Sequence, residues 1–267
     1  MRALIFASSD GNFELLDKIL AREANSHIAI CVGDLPIITP KTSISQLWPR
    51  KFKEEGIKAK EYLQQHPSLN KLVYALAGSH DDILADNKDH GSTFNNVLPI
   101  RHYSVINMGV YKTEIMQCME IPLTKNVAVG FLGGYYSQEM WGQINSERAN
   151  GRYNRKALAL CESDFDIFRR QLLTYLFTYE NPDTYDTITY KFPSGVDRIT
   201  ELVRTTQPTI HFHAHSRINN EGYIYESLSI GVPPLKEGYL EGNLYTSEFV
   251  LKDVNGNTMK EYKNNRK

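Results

Sequence analysis

Ala3-Leu-Ile-Phe-Ala-Ser-Ser-Asp-Gly-Asn12 and, after one intervening helix, Ile28-Ala-Ile-Cys-Val-Gly-Asp34 follow the same pattern twice. In each, a continuous apolar run of the kind that forms a strand covered on both faces ends in a small polar loop bearing an aspartate, Asp10 or Asp34. Between them, residues 13–20 place apolar side chains at helical spacing. A third run, Lys71-Leu-Val-Tyr-Ala-Leu76, follows a charged helical stretch over 51–65 and ends in Ala77-Gly-Ser-His-Asp81. Strand, loop and helix units in this order predict an α/β sheet, whose ligands sit outside the carboxyl ends of its strands. The three polar loops are therefore candidates to converge on one site.

Further along, strands are expected over 102–108, 110–118 and 126–132, where the pattern shifts toward antiparallel pairing. Residues 137–157 are polar and carry Arg148, Arg152, Arg155 and Lys156, which read as a solvated helix start or as phosphate contacts. A helix over 164–177, a strand over 185–190 and the loop Lys191-Phe-Pro-Ser-Gly195 come next. After a helix over 196–205, Pro208 opens the strand Thr209-Ile-His-Phe-His213. The remainder alternates strand and turn up to a polar, basic tail over 260–267. No internal repeat or low-complexity linker divides the chain, so residues 1–267 are expected to form a single domain.

A chain of 267 residues with 41% hydrophobic content can bury a sizeable core. Its formal net charge of -1 gives no global field to attract nucleic acid or an anionic membrane, so any polyanion must be held locally. Cys31, Cys118 and Cys161 are widely spaced and form no C-x-x-C pair, which argues against a disulfide framework or a thiolate zinc site and fits a reducing cytoplasm. The first apolar run is too short for the core of a signal sequence, and no run is long enough to span a membrane. A cytoplasmic protein is expected.

The densest chemical signal is His211-Phe-His-Ala-His215, three of the eight histidines at alternate positions and so on one strand face. Neutral imidazoles beside carboxylates suit a metal site, while ordinary hydrogen-bonded histidines on a polar face account for the same pattern. Asp34, closing an apolar strand, needs a partner or a cation; a turn or cap aspartate is the alternative. Asp10 before Gly11 reads as a ligand or as an Asx turn, and His80 as a catalytic acid or a surface histidine.

Taken together, Ser8-Ser-Asp10-Gly11, Gly33-Asp34, Gly78-Ser79-His80-Asp81, Lys191-Phe-Pro-Ser and Phe212-His213-Ala-His215 fall in the order of five motifs. The chain resembles the calcineurin-like metallophosphoesterases, whose motifs are D-x-H-G, G-D, G-N-H-D/E, a lone histidine and G-H-x-H. The resemblance covers roughly residues 1–220. It implies a two-sheet β-sandwich flanked by helices, a four-layer α/β/β/α arrangement. Residues 190–196 and 207–215 are similar to lariat-debranching enzymes and their splicing-factor relatives, which implies a phosphate-ester substrate such as a nucleotide or RNA.

In that family two metals share the aspartate matching Asp34. Carried across residue by residue, the first site becomes Ser8, Asp10, Asp34 and His215. The second keeps Asp34 and His213, with Ser79 in place of an asparagine and Lys191 in place of a histidine. A protonated lysine cannot bind a metal. The resemblance thus implies one divalent ion rather than two, Mn²⁺ first and Zn²⁺ or Fe²⁺ next, with Lys191 standing in for the lost cation. His80 matches the acid that protonates the leaving oxygen, with Asp81 as its orienting partner. These readings leave two functions open: a metal-dependent phosphoesterase, or an inactive binding or scaffold protein with a protein partner.

Overall fold

The computed structural model describes residues 1–35, 68–76, 78, 95–99, 103–107, 127–138, 159–169, 171–186, 195–214 and 220–263, with single positions between 54 and 66 and at 141. Ser79, His80, Asp81, Lys191 and His215 lie outside the described residues, as does the strand expected over 110–118.

The first strand, β1 (Arg2–Phe6), leads into α1 (Phe13–Arg22), β2 (Ile28–Val32) and β3 (Ser68–Leu76). Every described position between 54 and 65 is helical. Strands β4 (Asn95–Pro99), β5 (Tyr103–Asn107) and β6 (Ala128–Leu132) follow. After a 3-10 helix at Glu162–Phe168 come β7 (Tyr175–Thr178), α2 (Asp197–Thr206) and β8 (Ile210–His213). The chain closes with β9 (Glu221–Ile224), β10 (Ser227–Gly231), β11 (Tyr239–Asn243), β12 (Glu248–Lys252) and β13 (Thr258–Lys263).

Among the described residues these strands form a seven-stranded sheet, β13-β12-β11-β1-β2-β3-β4, and a six-stranded sheet, β5-β6-β7-β8-β10-β9. In the first sheet the parallel strands β1, β2, β3 and β4 run out to one edge, and in the second β6, β7, β8 and β10 are parallel in the centre. Antiparallel pairing links β1, β11, β12 and β13 in turn in the other half of the first sheet, and adds β5 and β9 at the two edges of the second.

Alternation along the strands divides the apolar side chains between two faces. Ile5, Ile30 and Tyr74 of the first sheet meet Phe131, Phe177, Ile210 and Phe212 of the second in the interior core. On the outer face of the first sheet, Leu4, Phe6 and Ala29 pack on Phe13, Leu16, Ile19 and Leu20 of α1. On the outer face of the second, Leu176 packs on Ile199, Leu202 and Val203 of α2 and on Phe168. The result is the expected four-layer α/β/β/α arrangement. No helix among the described residues is long and apolar enough to cross a membrane.

The expected helix over 164–177 is corrected by the structure. A 3-10 helix ends at Phe168, and the second half of the stretch is the buried strand β7, paired in parallel with β6 and β8. The Leu172, Leu173 and Leu176 spacing imitates a helix face, but Leu172 is 90% exposed while Tyr175, Leu176, Phe177 and Thr178 are all buried. Pairing on both sides overrides the local periodicity here, as it commonly does for aromatic-rich runs. Of the strand expected over 185–190, only Tyr185 and Asp186 are described, and neither is in a strand.

Candidate functional site

Sequence forces the chain into tight turns at the ends of β1 and β2. Asp10 (φ 48°) and Gly11 (φ 73°), then Gly33 (φ 94°) and Asp34 (φ 51°), all adopt the left-handed backbone region. That region suits glycine and is tolerated by aspartate, and such strain tends to gather at functional positions. The two loops touch, since the Ser9 N–H donates to the Asp34 carbonyl at 3.4 Å.

Asp10 is held by Ser8 and Lys236. The Ser8 hydroxyl donates to its Oδ1 at 2.8 Å and accepts from its backbone N–H at 3.2 Å. The Lys236 ammonium lies 2.9 Å from its Oδ2. Two residues on, Asn12 caps α1 by accepting the Leu15 N–H at 3.0 Å, which ties the loop to the helix start.

Asp34 joins the two sheets. The Tyr179 hydroxyl, just past the end of β7, donates to Asp34 Oδ2 at 2.8 Å. A side chain at Gly33 would overlap the Tyr179 ring, and one at Gly78 would overlap the Asp34 carboxylate and its backbone N–H. These two glycines therefore permit the close approach of the β2, β3 and β7 ends. The β10 end joins them through the Ala7 and Pro234 bridge and through the Leu235 N–H, which donates to the Ser8 carbonyl.

His211 and His213 stand on one face of β8, but that face points away from the interior core occupied by Ile210 and Phe212. Both imidazoles are completely buried. His211 hydrogen-bonds through Nε2 to the Thr178 hydroxyl and through Nδ1 to the Ser229 hydroxyl, each at 2.8 Å. His213 Nδ1 is 3.3 Å from the Ala214 carbonyl, and its Nε2 is 2.8 Å from the Tyr185 hydroxyl, which also donates to Asn220 Oδ1 at 3.1 Å. Burial pulls the His213 pKa down to about 4, and burial with the neighbouring His213 pulls that of His211 well below its ordinary value. Both rings are neutral at pH 7.

At the level of sequence, no family model and no curated protein matches the chain. Among solved structures, TT1561 of Thermus thermophilus is similar over 95% of this chain and 98% of its own, with 12% identity and a TM-score of 0.56. GAP50, described as the anchor in the inner membrane complex of Plasmodium, is similar over 98% and 88%, with 8% identity and a TM-score of 0.52. YfcE, a phosphoesterase from E. coli, is matched with 7% identity and a TM-score of 0.39, too loose an overlay to bear on this site. The shared architecture is two face-to-face sheets between helices, with parallel strands delivering loops to one edge.

The chain has the fold of TT1561 and GAP50, the two-sheet arrangement expected from the resemblance.

On that fold, the expected ligands Asp10 and Asp34 sit at the ends of adjacent parallel strands, with their loops in contact. The expected ligand His213 is engaged by the Tyr185 hydroxyl and the Ala214 carbonyl, and a metal bond through Nε2 would have to displace that hydroxyl. Among the described residues, no three His, Cys, Asp or Glu side chains form one cluster. The donors described here are carboxylate and hydroxyl oxygens, a set that fits one hard divalent cation better than a soft one.

Two residues at this site escape sequence reasoning. Tyr179 occupies the strand end that faces Asp34. The available signal was the buried run Tyr175-Leu-Phe-Thr178 followed by a polar turn. Lys236 supplies a positive charge to Asp10 from the turn after β10. In sequence it is one more turn lysine, and only the β10 to β1 contact reveals it.

Proposed function

We propose that this chain is a metal-dependent phosphoesterase with a reduced, one-cation site at Asp10 and Asp34. The observation that carries this reading is the pair of strand-end aspartates, both in left-handed backbone and joined through Ser9 and Asp34. In this reading Asp10 and Asp34 hold Mn²⁺, with His215 as the third ligand. The bound ion would lower the pKa of a water and polarise a phosphoryl oxygen. Tyr179 orients the Asp34 carboxylate, and Lys236 offers its charge to a phosphate oxygen. His80 donates a proton to the leaving oxygen, with Asp81 orienting it and Lys191 adding positive charge. The engaged state of His213 supports one ion rather than two.

The test is metal content by mass spectrometry after dialysis against Mn²⁺, paired with cleavage of bis(p-nitrophenyl) phosphate. About one equivalent in wild type, lost in Asp34→Asn, is expected from this ligand set. Cleavage should fall with His80→Ala while the metal stays bound.

The alternative is an inactive binding or scaffold protein. It is favoured by the Lys236 ammonium on Asp10 and the Tyr179 hydroxyl on Asp34, which neutralise and hydrogen-bond the carboxylates from within the protein. GAP50, an anchor by description, has a similar fold. Wild type that takes up no Mn²⁺ and cleaves nothing would select this reading.

A further inference from the structure

The turn after β10 is held firmly, while its lysine side chain reaches the surface. The Ala7 N–H donates to the Pro233 carbonyl at 3.1 Å and the Leu235 N–H to the Ser8 carbonyl at 3.0 Å. Glu237 and Gly238 N–H groups close the turn on the Pro234 carbonyl, and the Leu235 side chain is fully buried. Lys236 therefore springs from a backbone clamped to the same loop that carries Asp10. Its side chain is 57% exposed and that of Asp10 25%, so the ion pair is open to exchange with solvent ions.

We propose that Lys236 is the resident counter-ion of Asp10, which a divalent cation must displace, and that the displaced ammonium then binds the phosphate of the ligand. The proposal rests on the one-cation reading above. Charge balance supports it. Asp10 and Asp34 bring two negative charges to touching loops, and a lysine head on a flexible four-carbon stem can neutralise one of them and leave without moving the backbone. A divalent ion and the ammonium repel one another at the same carboxylate, so each weakens the other there. Once off Asp10, the ammonium remains tethered beside the site, where a phosphate dianion is its natural partner.

Calorimetric titration of Mn²⁺ alone into the full chain tests the first half, using wild type, Lys236→Met and Lys236→Arg, with thermal melts as the check on folding. Lys236→Met should bind Mn²⁺ about fivefold more tightly than wild type, the scale of a half-exposed charge pair, and Lys236→Arg should stay close to wild type. Equal affinity in wild type and Lys236→Met overturns the proposal and leaves the one-cation reading standing. Binding in Lys236→Met alone overturns displacement in the wild type and turns it toward the inactive reading. Binding in neither overturns both. Inorganic phosphate titrated at saturating Mn²⁺ tests the second half: affinity should fall in Lys236→Met and be restored in Lys236→Arg, and unchanged affinity overturns it.

Discussion

The Tyr179 hydroxyl donates a 2.8 Å hydrogen bond to Asp34 Oδ2, linking the ends of β7 and β2 across the two sheets. The phenol is buried and the carboxylate half-buried, so the contact is shielded from water. Its ring also lies directly over Gly33, which fixes the strand end from which Asp34 projects. Tyr179→Phe keeps the ring and removes the donor. Hydrogen bonds to charged groups are the stronger kind, and the expected loss is about 1–2 kcal/mol of stability in urea denaturation. The proposed Mn²⁺ affinity should change in the same variant, whereas a bond that serves stability alone would leave it unmoved.

Gly78 offers a more severe probe of the same carboxylate. A methyl group there would run into the Asp34 carboxylate, which could swing aside, and into the Asp34 backbone N–H, which could not. Gly78→Ala should cost about 1–3 kcal/mol, the usual range for overpacking, and should abolish Mn²⁺ uptake by pushing Asp34 aside. Denaturation and metal analysis on the same sample check both. A variant as stable as wild type, with full metal content, would mean that the β3 end does not press on Asp34.

Asn12 couples the Asp10 loop to α1 by accepting the Leu15 N–H. Asn12→Ala removes that cap and should lower stability by about 1 kcal/mol. The measurement is the shift of the urea midpoint. Because the cap lies just beyond the strained pair Asp10 and Gly11, freeing it should also weaken any cation held by Asp10.

What could be read from sequence divides along a physical line. The placing of Asp10 and Asp34 in loops at strand ends was legible because each follows a fully apolar run. The α/β sheet was legible from alternating strand and helix units, and the four layers from the family resemblance. Strand β7 was not, because Leu172, Leu173 and Leu176 repeat at helical intervals and only the flanking strands β6 and β8 decide otherwise. Losing β7 hid Tyr179, whose role depends on a neighbour far away in sequence. Alternation correctly put His211 and His213 on one face, but sequence could not say that Ile210 and Phe212 would claim the interior. That choice turned both imidazoles toward Thr178, Ser229 and Tyr185.

The burial of those imidazoles predicts an acid-sensitive fold. Each is neutral in the native state, with its pKa pulled down chiefly by burial, that of His213 to about 4. In the unfolded chain the same groups take up protons near pH 6.5. Below that pH the unfolded state therefore binds more protons than the native state, and stability must fall as pH falls. For His213 the loss runs from about pH 6.5 down to about pH 4 and then levels off, at about 1.4 kcal/mol per pH unit through the steep part. The two rings have centroids 5.3 Å apart, so a proton on one opposes a proton on the other and the pair acts as a unit. Urea denaturation at pH 7, 6 and 5 should show this slope in wild type and a shallower one in His211→Gln, which keeps hydrogen-bonding capacity at the site without a titrating group. Comparing slopes cancels the carboxylates common to both proteins. Identical slopes would mean that the His211 ring does not resist protonation in the folded protein, and that the polar face of β8 is open to water.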